Sequence, residues 1–499
     1  MAGHNANSTS LSGAEIPETT PLLQAQVPVE AQPVYHHRRR VIVITFTMFF
    51  FLEIGANLLL PATTVALEQK ICNEQYANLD PNHRDCKAAI VQGAIAVLKG
   101  WQTTLDCVPG LFATVPYGIL SDKWGRHRIL SLAFTGITLG LAFQLMVLYF
   151  QVFPSNLVLV SPLFMFMGGG PAVITAMLYT SIADITPVSA RGPIFLQLSG
   201  LLILAEVASG PIAGLILLKS TWGLISLSSA FYVLATITTF LLPNTLHNTK
   251  ARDHHDNSHQ PTTDGYTSNN AVSTFTASYR KLREGFKEIR SFLGCHGVVV
   301  ALMFAYVLVS LSKLVQVMLW QYTTKRYDWT WSKASFLLTI RSIVSLIVLI
   351  IVLPVLSQFL VTKLKISAKR RDVWIASVTG LAGVIGTLLI AFAPTSEVLI
   401  LGLVTLAVNG GMPPVIRSLL SDIVEPRSLG TMNSLVGILE MLGLMISAPT
   451  LFGCLRLGFE LGGNWIGLPF MCAAAMITIS ITIVWFSPIK EQKGAVEDS

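Results

Sequence analysis

Twelve stretches of this chain are long and apolar enough to cross a bilayer. They lie at about residues 41–66, 95–121, 128–150, 156–183, 192–218, 222–243, 294–324, 333–361, 373–394, 397–421, 429–456 and 465–487. A hydrocarbon core about 30 Å thick takes roughly 20 apolar residues of helix. Inside it every backbone N–H and C=O must be bonded within the protein, which leaves only helices or closed barrels. The short alternating pattern of barrel strands is absent. Charged residues make up only 12% of the 499 residues against 52% hydrophobic ones, where about 25% charged is usual for a soluble domain. So few charges cannot cover a soluble globule of this length. That excludes a cytosolic enzyme, a disordered scaffold and a secreted disulfide module. The first run follows a long polar tail and is too long for the apolar core of a signal peptide.

The net charge of +7 raises the question of nucleic acid, and the placement of the charges answers it. With the N-terminus taken as cytoplasmic, Lys and Arg cluster at Arg38–Arg40, Lys123–Arg128, Lys250–Arg290, Lys363–Arg371 and Lys490–Lys493. These cytoplasmic segments outweigh the external ones, which hold Lys70, Arg84, Lys87, Lys99, Lys219, Lys325, Arg326, Lys333 and Arg456, by more than two to one. The bias sets both termini in the cytoplasm and assigns the basic charge to membrane orientation rather than to nucleic acid.

Outside the runs, residues 1–37 form a polar, Pro-containing tail expected to be disordered, and residues 488–499 a second cytoplasmic tail. Residues 244–293 form a linker. Within it, Leu282, Phe286, Ile289 and Leu293 recur at helical spacing opposite Lys281, Arg283, Lys287 and Arg290. That pattern predicts a basic amphipathic helix over 279–293, suited to an anionic leaflet. The linker divides the runs into bundles at 38–243 and 294–487. The halves are related by an internal repeat: Asp184, Gly192 and Pro211 match Asp422, Gly430 and Pro449, each offset by 238 residues. Paired six-helix repeats around a midplane site are a recurring transporter plan. The expected fold is an all-α membrane protein of twelve transmembrane helices in two pseudo-symmetric six-helix bundles.

Between the second and third runs stands Gly118-Ile-Leu-Ser-Asp122-Lys123-Trp-Gly125-Arg126-His-Arg128. This resembles the signature of the major facilitator superfamily, G-x-x-x-D-[RK]-x-G-[RK]-x-[RK], at every specified position and in the same loop. Gly118 allows close helix approach and Gly125 a tight turn. Asp122, at a helix C-terminal end, seeks a partner away from its own dipole. The resemblance implies a gate in which Asp122 meets the start of the eleventh span near Ser428–Thr431, while Arg126 pairs with Asp184. Asp422 is its counterpart in the second half. Lys123 and Arg128 serve equally well as plain membrane anchors.

The fifth run carries Glu206-Val-Ala-Ser-Gly210-Pro211-Ile-Ala-Gly214. It resembles part of the family's antiporter motif, G-x-x-x-G-P-x-x-G-G, with Glu206 and Leu215 in place of the outer glycines. Gly210 and Gly214 form a small-residue packing face around Pro211. The R-x-x-Q-G signature of the exporters' fourth span is absent, so proton handling cannot be copied from that subfamily.

A charge at mid-bilayer is expensive and needs a cavity or a partner. Glu53, with Asn57 one turn on, and Asp106, with Gln102 one turn before, are the first proton-coupling candidates. Glu206 and Glu440 are the others. Tyr306, Ser310, Lys313, Gln316 and Trp320 form a polar and aromatic stripe on the seventh run. Asn57, Ser310, Lys313, Gln316, Trp320 and Arg341 are the expected substrate-cavity residues. Alternatively, Arg341 or Lys313 neutralises a carboxylate on a neighbouring helix and the pair is structural.

Cys72 and Cys86 flank an external polar loop and are expected to form a disulfide. No metal-ligand spacing and no phosphate-binding loop occurs, so no metal or cofactor is expected. In the tail, Glu18-Thr-Thr-Pro-Leu22-Leu23 resembles an adaptor-read sorting signal to vacuole or endosome.

The resemblance, closest to fungal efflux-type members, implies a transporter rather than an enzyme. It would be a monomer in the lipid bilayer, in the plasma membrane or alternatively the vacuolar one. Its partners would be protons and a small-molecule substrate, a drug-like compound or secondary metabolite moved outward. The rival is a proton-coupled importer of an organic nutrient, anionic ones included.

Overall fold

The computed structural model describes residues 38–186, 188–242, 297–363, 367–423 and 429–487. The tails with their sorting signal, the linker with its expected amphipathic helix, and the side chains of Asp122 and Asp422 lie outside the described residues, as do those at the start of the eleventh span.

Among the described residues every regular element is helical. The first half contains α1 (Arg38–Gln75), α2 (Ala89–Trp124), α3 (Arg126–Tyr149), α4 (Gly170–Ile185), α5 (Val188–Leu217) and α6 (Thr221–Thr239). The second contains α7 (Gly297–Ser312), α8 (Val315–Arg326), α9 (Trp331–Ile347), α10 (Leu353–Thr362), α11 (Ala368–Phe392), α12 (Ser396–Val408), α13 (Met412–Ile423), α14 (Leu429–Leu461) and α15 (Leu468–Phe486). Among the described residues, eleven helical segments are long and apolar enough to cross a bilayer. The helix outside that set is α2, whose 36 residues include Lys99, Asp106, Pro109 and Pro116. Large apolar side chains on the outside, such as Phe112, Phe240, Ile446 and Phe486, are mostly exposed, a surface that a bilayer covers and water does not.

Four spans are composite. Ser155–Phe166 is a 3-10 segment that joins α4 through Gly168, Gly169 and Gly170, all with φ between +67° and +100°. Three successive left-handed residues are affordable only for glycine. The seventh span breaks at Lys313 and Leu314, between α7 and α8. The eighth carries a π-turn at Val348–Val352 just before Pro354. Proline lacks an N–H and crowds the carbonyl four residues back, which widens the preceding turn. The tenth span is interrupted by a 3-10 turn at Asn409–Gly411.

Two apolar runs continue further than hydropathy indicates. The first extends to Gln75, taking in Glu68, Lys70 and Cys72, and the second begins at Ala89, taking in Gln92 ahead of the run that holds Lys99. Lys70 and Lys99 are therefore helix residues, not the external-loop charges that the sequence suggests. Lys70 is fully buried and its Nζ donates to the Phe150 carbonyl at 2.9 Å. Glu74 accepts from the backbone N–H and the hydroxyl of Ser155 at 2.8 and 2.6 Å. Charges bonded inside the protein let a helix continue where the hydropathy has already fallen.

The halves meet along two seams, α2 against α14 and α5 against α9. Under the internal repeat each seam is the image of the other. Gly100 of α2 lies against Phe452 and Pro449 of α14, and Gly214 of α5 against Phe336 of α9, where an added Cβ would stand 2.9 and 2.7 Å from ring or side-chain carbons. Each half has its own core, around Leu58, Ile95 and Leu224 in the first and around Leu302, Ile416 and Ile477 in the second.

Candidate functional site

A cavity of about 210 Å³ opens between α1, α2, α3 and the 3-10 segment, with Tyr232 of α6 and with Val317 and Phe452 of the second half completing its wall. Its polar lining residues include Thr63, Lys99, Gln102, Thr103, Asp106, Gln144 and Ser161. They converge because residues 99, 102, 103 and 106 recur at helical spacing on one face of α2. Asp106 Oδ1 and Gln102 Oε1 are buried without a hydrogen-bond partner. Lys99 is 9% exposed, and its Nζ reaches the Thr63 hydroxyl at 3.5 Å. Buried groups of this kind are costly unless something else satisfies them, so the face is primed for a ligand, a proton or water.

Of the four carboxylates expected to couple protons, Asp106 alone lines this cavity. Glu53 is half-buried on α1 and accepts from Asn57 Nδ2 at 3.2 Å, so this pair satisfies itself within one turn. Glu206 on α5 forms an ion pair with Arg341 on α9, and Arg341 also donates to Gln316 Oε1. That pair crosses the second seam and corresponds to the structural alternative read from sequence. Glu440 is half-buried on α14.

The six residues expected to line a substrate cavity stand elsewhere. Asn57 is taken up by Glu53, and Gln316 and Arg341 by the ion-pair cluster. Lys313 is exposed at the break of the seventh span and Ser310 lies just before it. Trp320 packs with Val65, Trp331 and Ala334 across the halves. A stripe drawn on an ideal helix does not stay on one face past Lys313, where the span is broken.

The gating motif sits at the opposite end from the disulfide. Gly125, with φ +93°, turns the chain between α2 and α3. Arg126 Nε stands 2.8 Å from Asp184 Oδ2, both nearly buried. Gly118 has open space where a Cβ would be, while Lys123 and Arg128 are exposed. Gly210 and Gly214 face Thr339 and Phe336 of α9, with Pro211 beside them in α5. At the other end Cys72 and Cys86 form a disulfide.

Two features escaped the sequence reading. Lys99 lies seven residues before Asp106 on the same helical face, inside the second apolar run, although the charge count places it with the external basic residues. Glu68 is the centre of a cross-half network at the disulfide end: its carboxylate accepts from Lys87, Gln92 and Trp331. No local spacing links those four residues; only the folded halves bring them together.

The family model of the Major Facilitator Superfamily matches residues 41–448. The MFS efflux pump atnC of Emericella nidulans is 31% identical over 400 residues, covering 78% of this chain and 74% of its own. The efflux pump ustT of Aspergillus flavus is 26% identical over 468 residues, covering 92% and 90%. Among solved structures, a D-xylose–proton symporter superposes with a TM-score of 0.61 at 14% identity, over 89% of this chain and 97% of its own. The nucleoside transporter NupG gives 0.59 at 12%, over 91% and 99%. These structural likenesses concern the fold. The family match over most of the chain, together with the signature between α2 and α3, leads to one conclusion: the chain belongs to the major facilitator superfamily.

Proposed function

We propose that this secondary transporter is a proton-driven exporter of a drug-like compound or secondary metabolite. In this reading α2 is the twelfth spanning helix, both termini are cytoplasmic and the disulfide end faces outward. The two bundles rock about the seams, as a monomer in the plasma membrane or alternatively the vacuolar one. The observation that carries the proposal is Asp106, a carboxylate with an unpartnered oxygen in the wall of the central cavity. A carboxylate that is not committed to a partner is free to exchange a proton with whatever the cavity admits. The naming of atnC and ustT as efflux pumps supports the outward direction. Arg126–Asp184 holds the inner ends of α3 and α4 together, and Asp122 and Asp422 complete the inner gate.

Lys99 favours a second reading, a proton-coupled importer of an organic anion, because a buried ammonium in the same wall attracts negative charge. Accumulation of a panel of toxins and metabolites in cells with and without the protein separates the two. Lower accumulation with the protein supports export. Higher accumulation selects the importer.

A further inference from the structure

Closure at the disulfide end is organised by one side chain. Glu68, 7% exposed, lies in the extension of α1. Its Oε1 accepts from Lys87 Nζ at 2.7 Å and from Gln92 Nε2 at 2.5 Å, and its Oε2 accepts from Trp331 Nε1 at 2.6 Å. Lys87 and Gln92 belong to the first half and Trp331 to the second. Lys87 Nζ also stands 4.7 Å from the centre of the Trp331 ring. Further bonds cross between the halves here: Gln321 Nε2 donates to the Gln92 carbonyl at 2.7 Å and to Gln92 Oε1 at 3.2 Å, and Lys325 Nζ donates to the Lys87 carbonyl. Both first-half partners of Glu68, Lys87 and Gln92, are thus themselves held from the second half.

The disulfide is attached to this cluster at both ends. Cys72 lies one turn beyond Glu68 on α1. Cys86 adjoins Lys87, and its carbonyl accepts from Gln92 Nε2 at 3.0 Å. The bridge therefore holds the segment carrying Lys87 and Gln92 against the turn of α1 that carries Glu68. Any separation of the halves at this end must break the Trp331 and Gln321 bonds, and it returns a buried carboxylate and an ammonium to water.

We propose that Glu68 is the latch of this mouth and that the Cys72–Cys86 bridge is its brace, so that breaking the Glu68–Trp331 bond, or reducing the bridge, opens this end to solvent. The proposal uses the transport reading only for the need to open. It requires no knowledge of the substrate.

The test places a reporter cysteine at Thr103, in the cavity wall, in the full-length chain. A membrane-impermeant maleimide is applied from each side in right-side-out and inverted vesicles, and the labelling of the chain without the reporter is subtracted. The disulfide side is the one on which Cys72 and Cys86 label after reduction. Glu68→Ala and Trp331→Phe should each raise reporter labelling from that side by about fivefold or more, the range expected for losing one hydrogen bond to a charged group. Reduction of the parent should do the same. Trp331→Phe keeps the ring and its packing, so it carries the test if Glu68→Ala does not reach the membrane. Labelling of Trp331→Phe at the parent's rate overturns the latch. A rise after both substitutions but none after reduction overturns the brace. A chain that passes these tests yet changes no compound's accumulation refutes the efflux reading and leaves the latch standing.

Discussion

Arg126 of α3 and Asp184 of α4 form an ion pair with 2.8 Å between Nε and Oδ2, their side chains 14% and 13% exposed. Removing one member of a nearly buried pair strands the other, at a cost of about 3 kcal/mol, whereas removing both costs less. Arg126→Ala should therefore lower the melting temperature more than the double variant Arg126→Ala/Asp184→Ala. Thermal unfolding of the purified chain in detergent measures the order. A double variant whose loss equals the sum of the two single losses would show that the pair contributes nothing as a pair.

Asp106 provides the second prediction. Asp106→Asn keeps the size and polarity of the side chain but cannot carry a proton. Gradient-driven flux in proteoliposomes should fall at least about tenfold, in the range of a lost acid–base group. Exchange of substrate for substrate without a proton gradient should persist. If gradient-driven flux stays at the parent's level, Asp106 does not couple protons.

The pair of Glu206 and Arg341 should behave in the opposite way. Each residue is the other's partner across the α5–α9 seam. Glu206→Gln leaves Arg341 half-buried with Gln316 as its remaining named partner. Stability and both transport modes should drop together, and Glu206→Gln combined with Arg341→Gln should recover much of the stability. Selective loss of gradient-driven flux in Glu206→Gln would instead make this residue a proton carrier.

The same seam predicts the effect of bulk. A Cβ at Gly210 would collide with Thr339, and one at Gly214 would stand 2.7 Å from the Phe336 ring. Gly214→Val should hold the halves apart at this seam and cut transport about tenfold or more, since overpacking by a side chain costs roughly 1–3 kcal/mol. Gly200→Ala, on the same helix with open space at its Cβ, should transport like the parent.

What could be read from the chain depended on the range of the signal. The spans were legible because a bilayer demands some twenty apolar residues in succession, and the Cys72–Cys86 bridge because its two residues bound one short loop. The Gly118–Arg128 signature placed Arg126 near Asp184 through resemblance. Lys70 and Lys99 were misplaced because hydropathy records a charge but not the Phe150 carbonyl or the Thr63 hydroxyl that accepts its proton. The polar stripe of the seventh span was drawn on a continuous helix, and the break after Ser312 redirected it. Glu68 and Trp331, separated by 263 residues, had no local pattern to announce them. Cross-half relations of that kind exist only after both bundles have folded.

The cavity and the Glu68 network share no residue: Glu68, Lys87, Gln92, Gln321 and Trp331 all lie outside the wall that holds Asp106 and Lys99. With the cargo in this cavity and Glu68 as the latch, as proposed above, changes of cargo and changes of closure would fall on separate sets of codons. A lineage that alters Gln102, Gln144 or Tyr232 to accept a new molecule leaves the seal untouched. A duplicated copy can thus diverge in what it carries through single substitutions, without first rebuilding the parts that make it a barrier.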